Sequence, residues 1–477
     1  MTVELIGAIA VVFGLIGLSV EPSFIVYIFF ASTLLGAAGA LILDAVGGTN
    51  IQPAHLLLGF LTIKLLTSRD IRDGARRAIA FGSPGFWLLV TTCYSTITAY
   101  LMPRLFLGET LAFAVRSQSA ENYAAPLVPT TANLTQSIYL IGNFVCFLLL
   151  CGYGSSDAGR RSMGRAALVC VILNLVFVVL DLLTYATNTA ELLSFIRNST
   201  YSLTSETELA GFKRIVGSFV EASSFSYWTL GYFAFTTSLW LNGTATCLTL
   251  SLSVLSFVAL LFSTSTTAYA GLAAFLMVQF VATGIKLLFR PIRPQMIIFI
   301  IALPMLFGIV LLMISLNDAS SAYVGNLLDT FVLNKMSTAS GVERSSWNSQ
   351  AIQNFLDTFG FGAGNGSVRA SSFPIGVIAS LGVIGAVTYA LFLLSIWFKH
   401  DRKAARSVVV TQLAARSACL AWLIAATASG GFVDLGLPFY AFAALACAEP
   451  RVAQMGAVNR SVKRSSLGFS AIQNADT

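Results

Sequence analysis

Apolar runs, each about 15 to 25 residues long, recur from one end of the chain to the other. An α-helix needs about 20 apolar residues to cross roughly 30 Å of hydrocarbon. It also bonds the backbone polar groups within its own segment, as a bilayer requires. Composition agrees, because 56% of the 477 residues are hydrophobic and only 10% are charged. The sequence therefore predicts an all-α, polytopic membrane protein in which residues 1–477 form a single integral membrane domain.

The individual runs predict about thirteen membrane-spanning helices, within a range of about 12 to 14. We place them at residues 5–20, 23–43, 53–68, 84–102, 137–153, 166–187, 226–241, 246–262, 267–289, 295–316, 371–398, 407–428 and 434–449.

Basic residues collect in the segments between alternate predicted spans. The clusters are Arg69, Arg72, Arg76 and Arg77; Arg160, Arg161 and Arg165; Lys286, Arg290 and Arg293; Lys399, Arg402, Lys403 and Arg406; and Arg451, Arg460, Lys463 and Arg464. Lys and Arg near helix ends are retained on the cytoplasmic side. These segments and the tail at 451–477 are therefore predicted to be cytoplasmic, and the loops at 188–225 and 317–370 face the opposite side. The net charge of +7 reflects this topology, so nucleic acid is not an expected partner.

Metal and cofactor sites are not expected. All seven cysteines lie in or at the edge of predicted spans, and the chain has no Cys-x-x-Cys motif. The two histidines, His55 and His400, fall on opposite sides of the predicted membrane. Structural metal sites need several such ligands close together, so we predict no metal and no other cofactor.

The loop at 317–370 carries the most informative polar sequence. Within it, GVERSSWNSQAIQNFLDTFG predicts an amphipathic helix, and FGAGNGSVRA is a glycine-rich turn. Arg344 and Arg369 would flank backbone amides at Gly362 and Gly364, an arrangement that suits a phosphate group. The alternative is that these glycines only end the helix and form tight turns.

The loop at 188–225 is the second polar region of interest. Its segment KRIVGSFVEASSFS places Lys213, Arg214 and Glu221 near the membrane surface. Snorkelling side chains with a salt bridge to Glu221 would explain these charges without a ligand. Alternatively, arginines from both loops converge on a diphosphate, which guanidinium groups bind bidentately. That set is Arg214, Arg344 and Arg369, with Arg197 as a further candidate.

Three segments in this order, RIVGSFVEASSFS, LLFSTSTTAYAGLAAFL and ERSSWNSQAIQNFLDTFGFGAGNGSVRASS, are similar to the O-antigen ligase and Wzy polymerase superfamily. The resemblance covers roughly the second half of the chain. The matching positions are Arg214 with Gly217 and Phe219, Arg344 with Trp347, and Gly362 with Gly364.

The resemblance implies a multi-pass protein of the bacterial inner membrane that transfers oligosaccharide from a polyprenyl diphosphate to a sugar hydroxyl at the periplasmic face. It implies membrane lipid and the lipid-linked oligosaccharide as partners, with a chain-length regulator or export complex as a further one. Ligases of this superfamily usually carry a histidine shortly after the glycine turn, where this chain reads RASSFPIGV. The departure favours an O-antigen or exopolysaccharide polymerase over a ligase.

The proposed transfer assigns roles to individual residues. The arginines would bind the diphosphate, and a carboxylate beside an arginine is ionised and can accept the hydroxyl proton. Glu343 and Glu221 are the candidate proton acceptors, Asp329 and Asp357 are weaker ones, and Trp347 and Lys213 would line the sugar and lipid groove. Glu343 is alternatively an acid favoured by the helix dipole, and Trp347 alternatively belongs to an apolar stripe that lies across the bundle.

A transporter is the rival class, either a flippase for the same lipid-linked sugar or an anion permease. A subunit of an export complex without catalytic activity is a third possibility. Two polar residues within predicted spans bear on the choice. Asp181 is a functional candidate or a protonated, hydrogen-bonded acid, and for His55 a structural role is favoured.

Overall fold

The computed structural model describes residues 2–43, 49–113, 123–199, 208–209, 212–289, 291–316, 339–398 and 405–449. Asp329, the tail at 451–477 and several predicted cytoplasmic basic residues lie outside the described residues.

Fifteen α-helices make up most of the described chain. They are α1 (Leu5–Ser19), α2 (Pro22–Ser32), α3 (Pro53–Leu66), α4 (Arg69–Ala78), α5 (Pro84–Leu105), α6 (Thr131–Tyr153), α7 (Asp157–Ala186), α8 (Ala222–Leu241), α9 (Thr246–Phe262), α10 (Thr266–Phe289), α11 (Pro294–Ser315), α12 (Ala339–Asp357), α13 (Phe373–Phe398), α14 (Arg406–Ser429) and α15 (Leu437–Cys447). Proline stands at the first position of α2, α3, α5 and α11, where its missing N–H costs no helical hydrogen bond.

Short strands and one 3-10 helix complete the described elements. They are β1 (Thr2–Val3), β2 (Leu41–Leu43) and β3 (Thr49–Ile51) in one antiparallel sheet, the pair β4 (Leu111–Phe113) and β5 (Ala124–Pro126), the pair β6 (Glu208–Leu209) and β7 (Phe212–Lys213), and a 3-10 helix at Ala190–Ile196. In the first sheet Thr2 lies opposite Ile42, and Leu41 lies opposite Ile51.

The helical class is confirmed. Every predicted span overlaps one helix, and seven helices in the described residues are long and apolar enough to cross a membrane. The chain is thus an all-α, multi-pass membrane protein. Five further apolar helices have 10 to 17 residues, so the number of crossings stays a prediction.

The predicted span at 23–43 is wrong in its second half. The hydroxyls of Ser32 and Thr33 donate to the carbonyls of Phe29 and Phe30, at 2.7 and 2.6 Å, which ends α2. The chain then leaves the helix, and the backbone N–H of Ala37 donates to the carbonyl of Ser218. Residues 33–43 therefore form a turn and a strand next to the loop before α8.

Short connections join most of the consecutive spanning helices, so the chain reverses between them and the described basic clusters fall at one end of the bundle, here called the basic end. It holds α4, the start of α7 and the start of α14. Lys64 at the end of α3 donates to the carbonyl of Leu18 at 2.7 Å, and Arg160 donates to the carbonyl of Gly154 at 3.0 Å. The opposite end, here called the site end, receives the starts of α3, α6, α8, α13 and α15.

The centre of the bundle is aromatic and closely packed. Trp422 of α14 is fully buried, and its ring lies 5.0 Å from that of Phe442. Gly231 of α8 faces this indole ring, where a Cβ would come within 2.0 Å of it. The Trp422 Nε1–H donates to the carbonyl of Trp228 at 3.2 Å. This packing fixes α8 against α14 and thereby the position of Trp228 below the site end.

Candidate functional site

A cavity of about 530 Å³ opens at the site end. Its volume is within the range of about 300 to 1,000 Å³ that is typical of small-molecule sites. It is bounded by α3, α6, the start of α8, the end of α14 and the loop that leads into α15. Its lining mixes polar and aromatic side chains, among them His55, Gln136, Tyr139, Glu221, Trp228 and Asp434.

Glu221 stands at the open edge of this cavity. It is exposed, it occupies the position before the first turn of α8, and the Ser223 hydroxyl donates to its carboxylate. Its negative charge raises the pKa of both Arg214 and Arg369, although burial lowers both pKa values more strongly. Glu221 is therefore within electrostatic reach of two arginines that come from segments far apart in sequence.

Arg214 is half-buried at the junction between α9 and α10. One of its Nη atoms donates to the carbonyl of Thr264 at 3.4 Å. Its Nε is buried without a hydrogen-bond partner among the described residues. Desolvation of a cation that lacks a full set of partners favours its binding to an anion.

Arg369 is held by stacking as well as by its backbone. Its guanidinium lies over the indole ring of Trp347, and its backbone N–H donates to the carbonyl of Phe113 at 3.2 Å. Glu343 and Glu221 both raise its pKa against the effect of burial. Trp347 is buried, so the ring face over which Arg369 lies is already used, and its predicted sugar contact stays a prediction.

Arg344 lies one turn before Asn348 on α12. The Asn348 side chain accepts a hydrogen bond from the backbone N–H of Ser371 at 2.8 Å, so residues one turn apart on this face of α12 point toward 369–371. Within the described residues, no hydrogen bond or ion pair holds the Arg344 side chain. The structure thus places Arg214 and Arg369 within electrostatic reach of Glu221 and leaves Arg344 on a face of α12.

Two predicted ligand-binding cations are instead buried against Asp181. Arg197 donates to Asp181 Oδ1 at 2.6 Å, and Lys213 binds the same oxygen. The backbone N–H groups of Val216 and Gly217 donate to Oδ2 at 3.0 and 3.1 Å. Asp181 therefore anchors the segment that carries Arg214, which corrects the expectations that Lys213 lines a substrate groove and that Arg197 joins the diphosphate-binding arginines.

The glycine turn does not offer the anion nest expected at Gly362 and Gly364. The Gly362 N–H donates to the Thr358 hydroxyl at 3.1 Å, and the Gly364 N–H donates to the carbonyl of Ser380 at 2.9 Å. Both glycines have positive φ, at +82° and +96°. A Cβ on Gly364 would lie 2.7 Å from the carbonyl oxygen of Thr98. The turn is a packing element that fits into α13.

The turn enters α13 where that helix is interrupted. Gly382 adopts φ +63° and ψ −166°, which breaks the helical hydrogen-bond pattern. The freed carbonyls of Ala379 and Ser380 accept hydrogen bonds from Ala363 and Gly364 at 2.8 and 2.9 Å. The alternative reading of these glycines, as tight turns, is the one that fits the structure.

The weaker predicted acid Asp357 also serves packing. Its carboxylate accepts hydrogen bonds from the Thr110 hydroxyl at 2.5 Å and from Gln353 at 2.6 Å. These contacts tie the end of α12 to the segment before β4.

Asp434 is a site residue that the sequence prediction missed. Its Oδ1 accepts hydrogen bonds from the Asn143 side chain and from the Gly436 N–H, both at 2.6 Å. Oδ2 is left for the cavity, which Asp434 lines. Burial raises the pKa of this carboxyl group, and the two hydrogen bonds oppose that shift. The signal was available, because an acid within the predicted span at 434–449 is costly to bury.

His55 lines the same cavity from the first turn of α3. Its ring lies 4.8 Å from that of Tyr139. Both ring nitrogens are buried and have no hydrogen-bond partner among the described residues. Such an unpaired polar group costs about 1 to 3 kcal/mol, and the structural role favoured for His55 does not account for its two unpaired nitrogens.

The fold and the cavity together define a class: a multi-pass helical membrane protein with a polar cavity at the end opposite its basic clusters. In the described part of the chain, no group of three or more His, Cys, Asp or Glu side chains is placed to hold a metal ion. No protein-family model and no curated protein matches the chain.

Proposed function

We propose that this protein is a membrane glycosyltransferase of the polysaccharide-polymerase type. It transfers an oligosaccharide from a polyprenyl diphosphate to a sugar hydroxyl at the site end. The observation that supports the proposal is a polar cavity whose edge residue, Glu221, lies within electrostatic reach of Arg214 and Arg369. The proposed location is the bacterial inner membrane, with the basic end cytoplasmic and the site end periplasmic.

The arginines suit the donor. In the transfer, the bond between the anomeric carbon and the phosphate oxygen breaks, its electron pair stays on the leaving diphosphate, and the acceptor oxygen bonds to the same carbon. Guanidinium groups stabilise that leaving charge best where water is excluded. Arg214 and Arg369 are partly desolvated, and Arg344 on α12 is the third arginine assigned to the donor.

The acceptor hydroxyl must lose its proton to a base. Glu221 and Asp434 both line the cavity. Glu221 is exposed and within electrostatic reach of two arginines, whereas Asp434 is oriented by two hydrogen bonds and is largely desolvated. A carboxylate with a raised pKa is the stronger base, so we assign the proton acceptor to Asp434 and a donor-side role to Glu221. Glu343 then acts on Arg369 electrostatically.

A flippase is the second candidate, and the interrupted helix α13 is the observation that favours it, because transporters often contain broken helices. The break at Gly382 is filled by the glycine turn, whose amides bond the freed carbonyls. A broken helix that binds a solute would leave such groups available, so the transferase is the better supported function.

The test is chain growth by the purified protein in liposomes with a polyprenyl-diphosphate oligosaccharide. Wild type is expected to produce a ladder of products. Arg214→Ala and Arg369→Ala are expected to abolish it, and the Lys variants to recover little, because bidentate binding is lost. Arg104→Ala is the matched control, since Arg104 also lies at the site end and stacks on an aromatic ring, Tyr100. A full ladder from both arginine variants contradicts the proposal.

Cells separate the transferase from the flippase. Loss of a transferase leaves single lipid-linked units that reagents outside the membrane can reach. Loss of a flippase traps these units inside.

A further inference from the structure

The charged side chains that line the cavity in the described part of the chain are all negative. The lining contains the carboxylates of Glu221 and Asp434, and no lysine or arginine is among the described lining residues. Asp434 is oriented by Asn143 and Gly436 rather than by a cation. The two arginines within electrostatic reach of Glu221 do not line the cavity, so a negatively charged ligand group inside it would meet two carboxylates and no lining cation from the described residues.

The remaining lining suits a ligand that is rich in hydroxyl groups. Tyr139, Tyr227 and Trp228 provide aromatic faces, on which the C–H face of a sugar ring can pack. His55 contributes two ring nitrogens that have no partner among the described residues, and Asp434 contributes Oδ2. A hydroxyl group can donate to one of these atoms and accept from another, which an apolar ligand cannot.

We propose that this cavity binds an uncharged saccharide and that Glu221 and Asp434 exclude acidic sugars. The role of the bound sugar as acceptor rests on the proposed function, whereas its binding does not. The site end is then divided into two parts: the arginines outside the cavity hold the anionic donor group, and the carboxylate-lined cavity holds the acceptor. Repeat units whose acceptor residue is a uronic acid would be poor substrates.

Binding can be measured without transfer, by saturation-transfer NMR on the purified protein. The neutral probes are glucose, galactose, mannose, rhamnose and N-acetylglucosamine. The acidic probes are glucuronic and galacturonic acid, which differ from glucose and galactose only at C6. In each of these two pairs, we expect the neutral sugar to bind at least about 10-fold more tightly than its acid. A tenfold ratio corresponds to a difference in binding free energy of about 1.4 kcal/mol.

Two variants test the cause of this selectivity. The double variant Glu221→Gln and Asp434→Asn removes both charges and keeps the shape, so the ratio within each pair should fall to about 3-fold or less. His55→Ala should weaken the binding of neutral sugars by about 5- to 10-fold, as expected for the loss of one hydrogen bond. Asp73→Asn is the control, because it removes an exposed carboxylate at the basic end and should leave the ratio unchanged.

Three results would overturn the inference. The first is that acidic sugars bind wild type as tightly as their neutral partners, and the second is that none of the five neutral probes binds. The third is an unchanged ratio of neutral to acidic affinity in a double variant that unfolds at the wild-type temperature. A wild-type protein that binds neutral sugars selectively but forms no ladder from the lipid-linked donor contradicts the proposed transferase and supports this inference.

Discussion

The guanidinium carbon of Arg369 lies 3.7 Å from the centre of the Trp347 indole ring. The two residues belong to different elements, Trp347 to α12 and Arg369 to the segment before α13. The Asn348–Ser371 hydrogen bond joins the same two elements. Helix α12 therefore fixes the position of an arginine that the proposed function needs for donor binding.

Loss of this ring should weaken donor binding without unfolding the protein. A cation–π contact that is partly desolvated contributes about 1 to 2 kcal/mol, so Trp347→Leu is expected to raise the Kd for a polyprenyl diphosphate by about 5- to 30-fold. Trp347→Phe keeps an aromatic face and should lose less. Phe359→Leu is the control, because Phe359 is exposed just after α12. Equal affinities for wild type and Trp347→Leu would show that the stack does not position Arg369.

Asp181 should contribute strongly to stability, because it pairs with two buried cations. Asp181→Ala leaves the buried cations of Arg197 and Lys213 without their carboxylate, a change that typically costs about 3 to 5 kcal/mol. Chemical unfolding of the purified protein in micelles measures this. Asp73→Ala breaks the exposed pair with Arg76 and should cost about 0 to 1 kcal/mol.

A second substitution checks the cause of that loss. When Lys213→Met is added to Asp181→Ala, one of the two cations that lost this carboxylate is removed and part of the stability should return. A further loss in the double variant would mean that Lys213 is stabilised by contacts other than Asp181.

The glycine turn gives a paired prediction about packing. Gly364 and Gly108 both have positive φ, at +96° and +75°, so alanine is strained at either position. A Cβ at Gly364 would meet the carbonyl of Thr98, whereas at Gly108 it would meet nothing within 4 Å. Gly364→Ala should therefore destabilise by about 1 to 3 kcal/mol more than Gly108→Ala in the same unfolding measurement. Equal costs would mean that the turn can move away from α5, as a flexible anion-binding loop would.

Much of the helical architecture could be predicted because the thickness of a bilayer sets the length of an apolar run. Every predicted span except the second half of 23–43 lies largely in a helix for this reason. The prediction failed at 33–43 for a local reason. The hydroxyls of Ser32 and Thr33 donate to carbonyls of α2 at its end. Because Ser and Thr can make such bonds both within a helix and at its end, the sequence alone did not show that α2 stops there.

The site was harder to predict because its contacts join distant parts of the chain. Charge pattern placed Arg214, Arg369 and Glu221 at one end of the bundle, but it could not show that Lys213 turns to Asp181, 32 residues away. The glycine spacing indicated tight backbone turns. It could not show whether their amide groups are free to bind an anion or are bonded within the protein. Asp434 was overlooked because the flanking apolar residues assigned it to a span.

The identity of the proton acceptor leads to a prediction on pH. Burial raises the pKa of Asp434, and the hydroxyls of Tyr227, Tyr389 and Tyr440 lie within its electrostatic reach. A general base works only when it is ionised, so transfer should be full above this raised pKa and should fall as the pH drops through it. That fall, the acidic limb of the pH–rate profile, should begin above the usual Asp pKa of about 3.9.

Asp434→Asn should reduce the transfer rate by about 10²- to 10⁴-fold, leave the Kd of the lipid-linked donor unchanged and abolish the acidic limb. Glu221→Gln should keep that limb, because its carboxylate is assigned to the donor side. If the acidic limb disappears in Glu221→Gln and persists in Asp434→Asn, the base is Glu221 and the donor-side assignment is wrong.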